Sequence, residues 1–207
     1  GSFRKVGRWR RHIYEGVARA IEQDCGLEED SFLSTPWEDQ MDRRGALKGE
    51  LERIPEVESL TINDMPPVAW GNVSYKLAFD NGKNETEYSF NVRSGDTSYI
   101  HVYDIKLLAG RNLVPIDTVR EFLINETFAR KLGFDEPEEV VGKTLGRNFT
   151  IVGVVQDFHT QSLHAPIEPT AISYDKKSTG FAIKLFTPHD RVSDVKAGLE
   201  KIEASWN

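Results

Sequence analysis

Two runs of alternating residues joined by a tight turn restrict what this chain can fold into. Val73, Tyr75, Leu77 and Phe79 alternate with other residues, Asp80-Asn81-Gly82-Lys83 supplies turn chemistry, and Tyr88, Phe90 and Val92 alternate back. A period of two puts every second side chain on one face of an extended strand, and an Asn-Gly pair lets the next strand return antiparallel. The region therefore reads as a β-hairpin. One face is apolar and the other carries Ser74, Lys76, Ser89 and Asn91, as expected of an antiparallel pair with one side solvated.

Elements on either side of the hairpin follow from the same kind of reasoning. Ser31 to Trp37 reads as a short strand, Leu47, Leu51 and Ile54 mark one face of a helix that Pro55 ends, and Val57 to Ile62 is a second strand. Pro66-Pro67 forces extended backbone and breaks any ladder, so a boundary is placed there. Beyond the hairpin, Glu121 to Ile124 reads as a strand feeding Asn125. The Asn125 side chain can cap a helix from Glu126 to Leu132 that Gly133 ends, with Phe128 and Leu132 toward a sheet. Gly142-Lys143-Thr144 makes a turn, and the β-branched run Phe149 to Val155 is a buried central strand.

In the tail, Ala171 to Tyr174 and Phe181 to Leu185 are strands. Thr187, Pro188 and Asp190 then open a helix whose stripe is Val192, Val195, Leu199, Ile202 and Trp206. At the start, Arg4, Lys5, Arg8, Arg10 and Arg11 surround Val6 and Trp9, with Ile13, Val17 and Ile21 following. This is an amphipathic helix over residues 1–30, suited to a membrane junction. The order is nested: strand, helix, strand first, strand, strand, helix last, and a β-rich middle. The expected class is α+β, with one subdomain built from residues 31–68 plus 166–207 and a second, residues 69–165, inserted into it.

Charge narrows the function classes. With 26 Lys+Arg against 33 Asp+Glu the net charge is -7, which opposes the phosphate neutralisation on which nucleic-acid affinity rests; nucleic acid is not expected as a partner. Mean hydropathy is -0.47. The longest apolar run, Ile151 to Val155, falls far short of the about 20 residues a bilayer-spanning helix needs. Cys25 is the single cysteine, so no internal disulfide forms. Gly1-Ser2 reads as a cleavage scar, and the chain is expected to be an excised piece of a longer protein.

Catalytic constellations are not found. There is no Gly-x-Ser-x-Gly elbow, Cys25 has no histidine beside it, and Gly142-Lys143-Thr144 lacks the glycine loop of a phosphate-binding motif. His159 and His164 lie five apart, which fits neither a helical pair at four nor a zinc knuckle. Glu28-Glu29 and Glu138-Glu139 are adjacent in sequence and diverge, so they read as solvated charge. Sequons begin at Asn72, Asn84, Asn125 and Asn148, but Asn125 is already spoken for as a cap. The chain is thus expected to be no enzyme, with no catalytic, cofactor-binding or metal residues and with substrate-binding residues unknown.

Four phrases carry more identity than any motif: YIHVYDIKLLAGR from Tyr99 to Arg111, EFLINETFARKLG from Glu121 to Gly133, EVVGKTL from Glu139 to Leu145, and TIVGVVQDFHTQSLHAPIEP from Thr150 to Pro169. Together they resemble the extracytoplasmic core domain of MacB-like and FtsX-like ABC-transporter permeases, especially the many found in Bacteroidetes. The resemblance implies a domain between the first two transmembrane helices of a permease, at the periplasmic face of the bacterial inner membrane. It implies a Porter-like subdomain from both chain ends and an inserted, β-rich Sabre-like one, with Phe3 and Asn207 toward the same end. The implied partners are a second permease copy, a cytoplasmic ABC ATPase and a periplasmic adaptor. The implied role is the relay of ATP-driven motion to export or extraction of a substrate, and the alternative is an FtsX-like module that recruits or activates an envelope enzyme.

Overall fold

The computed structural model describes residues 33–35, 44–55, 57–68, 72–80, 82, 84–160, 165–178, 180–185 and 197. The chain forms two compact units, one from Gly1–Ile62 with Thr179–Asn207 and the other from Asn63–Ser178. The helix expected over residues 1–30, the stripe from Val192 to Trp206 and the placement of Phe3 and Asn207 lie outside the described residues.

In the first unit, strand β1 (Leu33–Thr35) is followed by helix α1 (Arg44–Leu51) and strand β2 (Val57–Asn63), and β10 (Gly180–Leu185) returns from the far end of the sequence. β10 lies between β1 and β2. It runs antiparallel to β1, with Leu33 opposite Ile183 and Thr35 opposite Phe181. Leu51, Ile54, Val57, Leu60, Phe181 and Ile183 are buried, each contributing on the order of 2 kcal/mol. The chain passes from α1 to β2 through two tight turns, the Ile54 amide donating to the Leu51 carbonyl and the Val57 amide to the Ile54 carbonyl. Lys184 of β10 pairs with Glu58 of β2 at 3.5 Å.

The second unit holds the hairpin of β3 (Val73–Asp80) and β4 (Glu85–Gly95), helix α2 (Tyr99–Val102), β5 (Leu107–Gly110), β6 (Glu121–Asn125), helices α3 (Glu126–Lys131) and α4 (Pro137–Val140), β7 (Thr144–Leu145), β8 (Phe149–Val155) and β9 (Thr170–Tyr174). Its strands run β4-β9-β6-β8-β5, with β3 on β4 and β7 on β8. The sheet is mixed: β4 and β9 are parallel, β9 and β6 antiparallel, β6 and β8 parallel, β8 and β5 antiparallel. The parallel β6–β8 pair is joined by α3, α4 and β7, as parallel strands require a crossover.

Both faces of this sheet are covered. Phe122 and Ile124 join a cluster with Phe90, Val154, Phe128 and Leu132, whereas Leu123 between them joins Tyr99, Ile172, Val152 and Val155. A central strand buried on both sides reads as a continuous apolar run, which is why Phe149 to Val155 carries no alternation. In the first cluster Phe90 lies 4.6 Å from Phe128 and 5.9 Å from Phe122, ring centre to ring centre.

Three points differ from the sequence reading. The hairpin forms in the expected register, Tyr75 opposite Phe90 and Leu77 opposite Tyr88, but its polar face is solvated only in part. Asn91 and, beyond it, Arg93 are buried, because β4 runs on to Gly95 and continues under other elements. Conversely Val73 and Tyr75, on the apolar face, are 48% exposed, since β3 pairs on the outer side of β4. Finally, the two units divide at 62/63 and 178/179, where the sequence placed boundaries at 68/69 and 165/166. β9 inserts between β4 and β6, and the stretch from Asn63 is held by hydrogen bonds to β4 and α2.

Candidate functional site: a polar joint

Two of the phrases singled out in the sequence, EFLINETFARKLG and TIVGVVQDFHTQSLHAPIEP, meet at the start of α3. Asn125 has extended backbone, and its Oδ1 accepts from the Phe128 amide at 3.1 Å, the expected capping bond. The same oxygen accepts from the Thr170 amide at 3.0 Å, and Nδ2 donates to the Glu168 carbonyl at 2.9 Å. One fully buried side chain thus ties α3, β6 and the start of β9 together.

Asp157, just past β8, completes the cap. Its Oδ1 accepts from the Thr127 amide at 2.8 Å, and its Oδ2 accepts from the Thr127 hydroxyl at 2.8 Å and from Arg130 Nη2 at 2.7 Å. Its own amide donates to Glu126 Oε2 at 3.0 Å. A carboxylate here also meets the positive end of the helix. INETFARKLG and VGVVQDFH are therefore two halves of one strand–helix–strand joint.

Glu168 carries the network onward. Its Oε2 accepts from Asn91 Nδ2 at 2.6 Å, and Asn91 Oδ1 accepts from the Ser74 hydroxyl at 3.0 Å. Beside them lies Arg93, fully buried. It donates from Nε to the Pro67 carbonyl at 3.1 Å, from Nη1 to the Val92 carbonyl at 3.3 Å, and from Nη2 to Asn72 Oδ1 at 2.8 Å and the Thr160 carbonyl at 3.2 Å. Burial lowers its pKa, opposed by Tyr99 and then Glu168; a guanidinium nonetheless stays charged at neutral pH.

Tyr99 and Tyr103, packed edge to face at 4.8 Å, complete the site. The Tyr99 hydroxyl donates to the Met65 carbonyl at 3.0 Å, and the Tyr103 hydroxyl accepts from Asn63 Nδ2 at 2.6 Å. Burial pushes the Tyr99 hydroxyl well above its ordinary value, helped by Tyr103 and opposed by Arg93. Burial likewise raises Tyr103, opposed by its bond from Asn63.

A raised tyrosine has a definite consequence for stability. Above about pH 10 the unfolded chain sheds these protons while the folded chain keeps them. Stability is thus fully present below that pH and falls as pH rises, by up to about 1.4 kcal/mol per pH unit for each tyrosine. Urea midpoints measured from about pH 9 to about pH 11 should drop, and the double variant Tyr99→Phe, Tyr103→Phe should flatten the drop. An equally steep fall in the double variant would show that other groups cause it.

The residues weighed in the sequence scatter. Gly142-Lys143-Thr144 is a turn into β7, with the Gly142 amide donating to the Ile151 carbonyl at 2.7 Å. Glu138 and Glu139 are exposed in the first turn of α4. His159 follows β8, whereas His164, Cys25, Glu28 and Glu29 lie outside the described residues. Asn72 belongs to the Arg93 cluster and Asn125 to the cap, while Asn84 and Asn148 are exposed. No group of three or more metal-ligating side chains occurs among the described residues, and among them no helix is long and apolar enough to cross a membrane. Sequence reasoning found Asn125 but missed Arg93, Asp157, Glu168 and the two tyrosines, whose side-chain hydrogen bonds to Pro67, Thr127, Asn91, Met65 and Asn63 span at least 26 positions.

This arrangement positions backbone. Its polar side chains hold strand ends and loops, and the acceptors of Asn125, Asp157 and Glu168 are each taken up by donors. Similar folds are known. The structure resembles the periplasmic region of MacB from Actinobacillus actinomycetemcomitans at TM-score 0.50 and 19% identity, covering 83% of this chain and 82% of that one. It resembles a permease-protein domain from Porphyromonas gingivalis at TM-score 0.50 and 20% identity, covering 75% and 74%. The extracellular domain of the noncanonic ABC-type transporter YknZ from Gram-positive bacteria matches at TM-score 0.47 and 11% identity, covering 83% and 93%. No curated protein matches by sequence. Residues 13–202 match the family described as MacB-like periplasmic core domain, extracytoplasmic domains of ABC-transporter permeases that work with ATPases, and the chain belongs to that family.

Proposed function

We propose that this domain is a non-catalytic relay that passes ATP-driven motion of its permease to export or extraction of a substrate. It would act at the periplasmic face of a bacterial inner membrane, beside a second permease copy and a periplasmic adaptor, with the ATPase across the membrane. The observation that carries the reading is the polar joint. Buried, mutually satisfied polar groups confer fixed geometry more than stability, and fixed geometry is what a relay needs. Asn125, Asp157 and Arg93 all hold backbone, and Glu168 is itself held through its carbonyl while its carboxylate receives the Asn91 side chain.

The test uses the full-length permease reconstituted with its ATPase. Asp157→Asn removes the charge paired with Arg130 at 2.7 Å and should loosen the start of α3 by about 1–2 kcal/mol. Transport is expected to fall several-fold while nucleotide binding by the ATPase persists. Undiminished transport in a variant whose α3 amides exchange faster would sink the relay and leave a docking or regulatory surface. The purified domain is also expected neither to hydrolyse ATP nor to retain stoichiometric metal, and either activity would revive an enzymatic reading.

A further inference from the structure

We infer that the stretch through which the chain enters the second unit, Asn63 to Val68 together with Asn72, is a stiff strap latched by Tyr99, Tyr103 and Arg93 rather than a flexible linker. The inference deepens the relay reading, because a relay needs a firm attachment where the chain passes into the moving part.

The strap's chemistry dictates how it can be fastened. Pro66-Pro67 favours stiff, extended backbone and offers no N–H. Such a segment can be held mainly through its carbonyls, so the donors must come from the body of the unit. The structure supplies them. Tyr99 reaches the Met65 carbonyl and Arg93 Nε reaches the Pro67 carbonyl. At the near end, Asn63 pairs with Gly95 of β4, its side chain bonds Tyr103, and the Asp64 amide donates to the Ser94 carbonyl at 3.0 Å. At the far end Asn72 Oδ1 receives Arg93 Nη2.

Two further observations set this apart from ordinary core packing. A buried arginine is expensive to desolvate, and an apolar side chain of similar volume would fill the space with less penalty; what arginine adds is five donors in a rigid fork. That fork spans two segments, the strap at Pro67 and Asn72 and the loop after β8 at Thr160. The fit is also close at the strap's root. A Cβ on Gly95 would come within 2.5 Å of the Tyr99 ring and 3.3 Å of Asn63 Cβ, so only glycine lets Asn63 and Tyr99 both close on β4.

The test is residue-resolved hydrogen exchange on this chain, with the Asp64 amide as reporter. Tyr103→Phe deletes the acceptor for Asn63 and keeps the ring, and Tyr99→Phe does the same for the donor to Met65. Each is expected to speed exchange at Asp64 by about five- to tenfold, as loss of one hydrogen bond implies, while amides of β6 and β8 change by less than about twofold. Arg93→Met is expected to speed exchange at both Asp64 and Thr160; if it fails to fold, the two tyrosine variants decide. A uniform rise across β4, β6 and β8 would make these residues plain core, and no rise at Asp64 would mean the strap is held without them. Either overturns the latch. Neither outcome depends on transport, so failure of the latch and failure of the relay are read separately.

Discussion

Gly110→Ala is expected to destabilise the second unit by about 3–4 kcal/mol, against about 1 kcal/mol for Gly133→Ala. Both glycines have positive φ, +78° and +97°, so both alanines carry the penalty of a left-handed backbone. Only one also meets a wall. A Cβ on Gly110 would lie 2.3 Å from the Val152 carbonyl oxygen and 2.7 Å from Gly153 Cα, whereas one on Gly133 meets nothing within 4 Å. The neighbours at Gly110 are backbone of the central strand β8. The Arg111 amide donates to that same Val152 carbonyl at 3.0 Å, so the strand cannot retreat without breaking a ladder bond. Urea midpoints at unchanged slope measure the difference. Equal losses for the two variants would mean that the β5–β8 approach is looser than described.

Asn125→Ala should cost a comparable amount, about 3–4 kcal/mol, although it adds no bulk. The lost cap alone is worth about 1–2 kcal/mol. The rest comes from what remains: the Thr170 amide loses its partner in a fully buried site, which adds about 1–3 kcal/mol, whereas the Glu168 carbonyl keeps the Thr170 hydroxyl. Asn125→Asp separates the two roles. It keeps the acceptor for Phe128 and Thr170 but loses the donor to Glu168, placing a carboxylate oxygen against a carbonyl. At neutral pH it should be clearly destabilised. Acidification should partly restore it relative to the parent chain, since a protonated carboxyl can donate. If Asn125→Ala costs no more than a surface cap, about 1 kcal/mol, the joint is not the organising element of the unit. Thermal or urea unfolding followed by circular dichroism is enough to decide.

Family membership and the relay reading draw on different features of the same residues. Two of the four phrases that resemble MacB-like domains build the joint: Asn125 to Thr127 on one side, Asp157 and Glu168 on the other. They mark the fold because a strand, a capped helix and a returning strand must agree in register for the joint to close. They name no substrate, since a scaffold shared by a family does not determine what moves through it.

Much of the local structure was legible from the residues, and for a physical reason. The hairpin register, the Asn125 cap and the apolar run of β8 depend on neighbours within about four positions or on a period of two, and all three formed as read, whereas the helix expected to run to Pro55 ended at Leu51. Short elements such as α2 and α4 left no such signal, because four residues are too few to show a period. Tertiary contacts decided the rest. β9 entered the sheet between β4 and β6 by pairing Asn91 with Thr170 and Ile124 with Ala171. The polar alternation of β4 ended buried because Arg93 found Pro67 and Thr160, 26 and 67 positions away. A sequence shows which groups require partners when buried; only the folded chain decides which distant groups arrive to satisfy them.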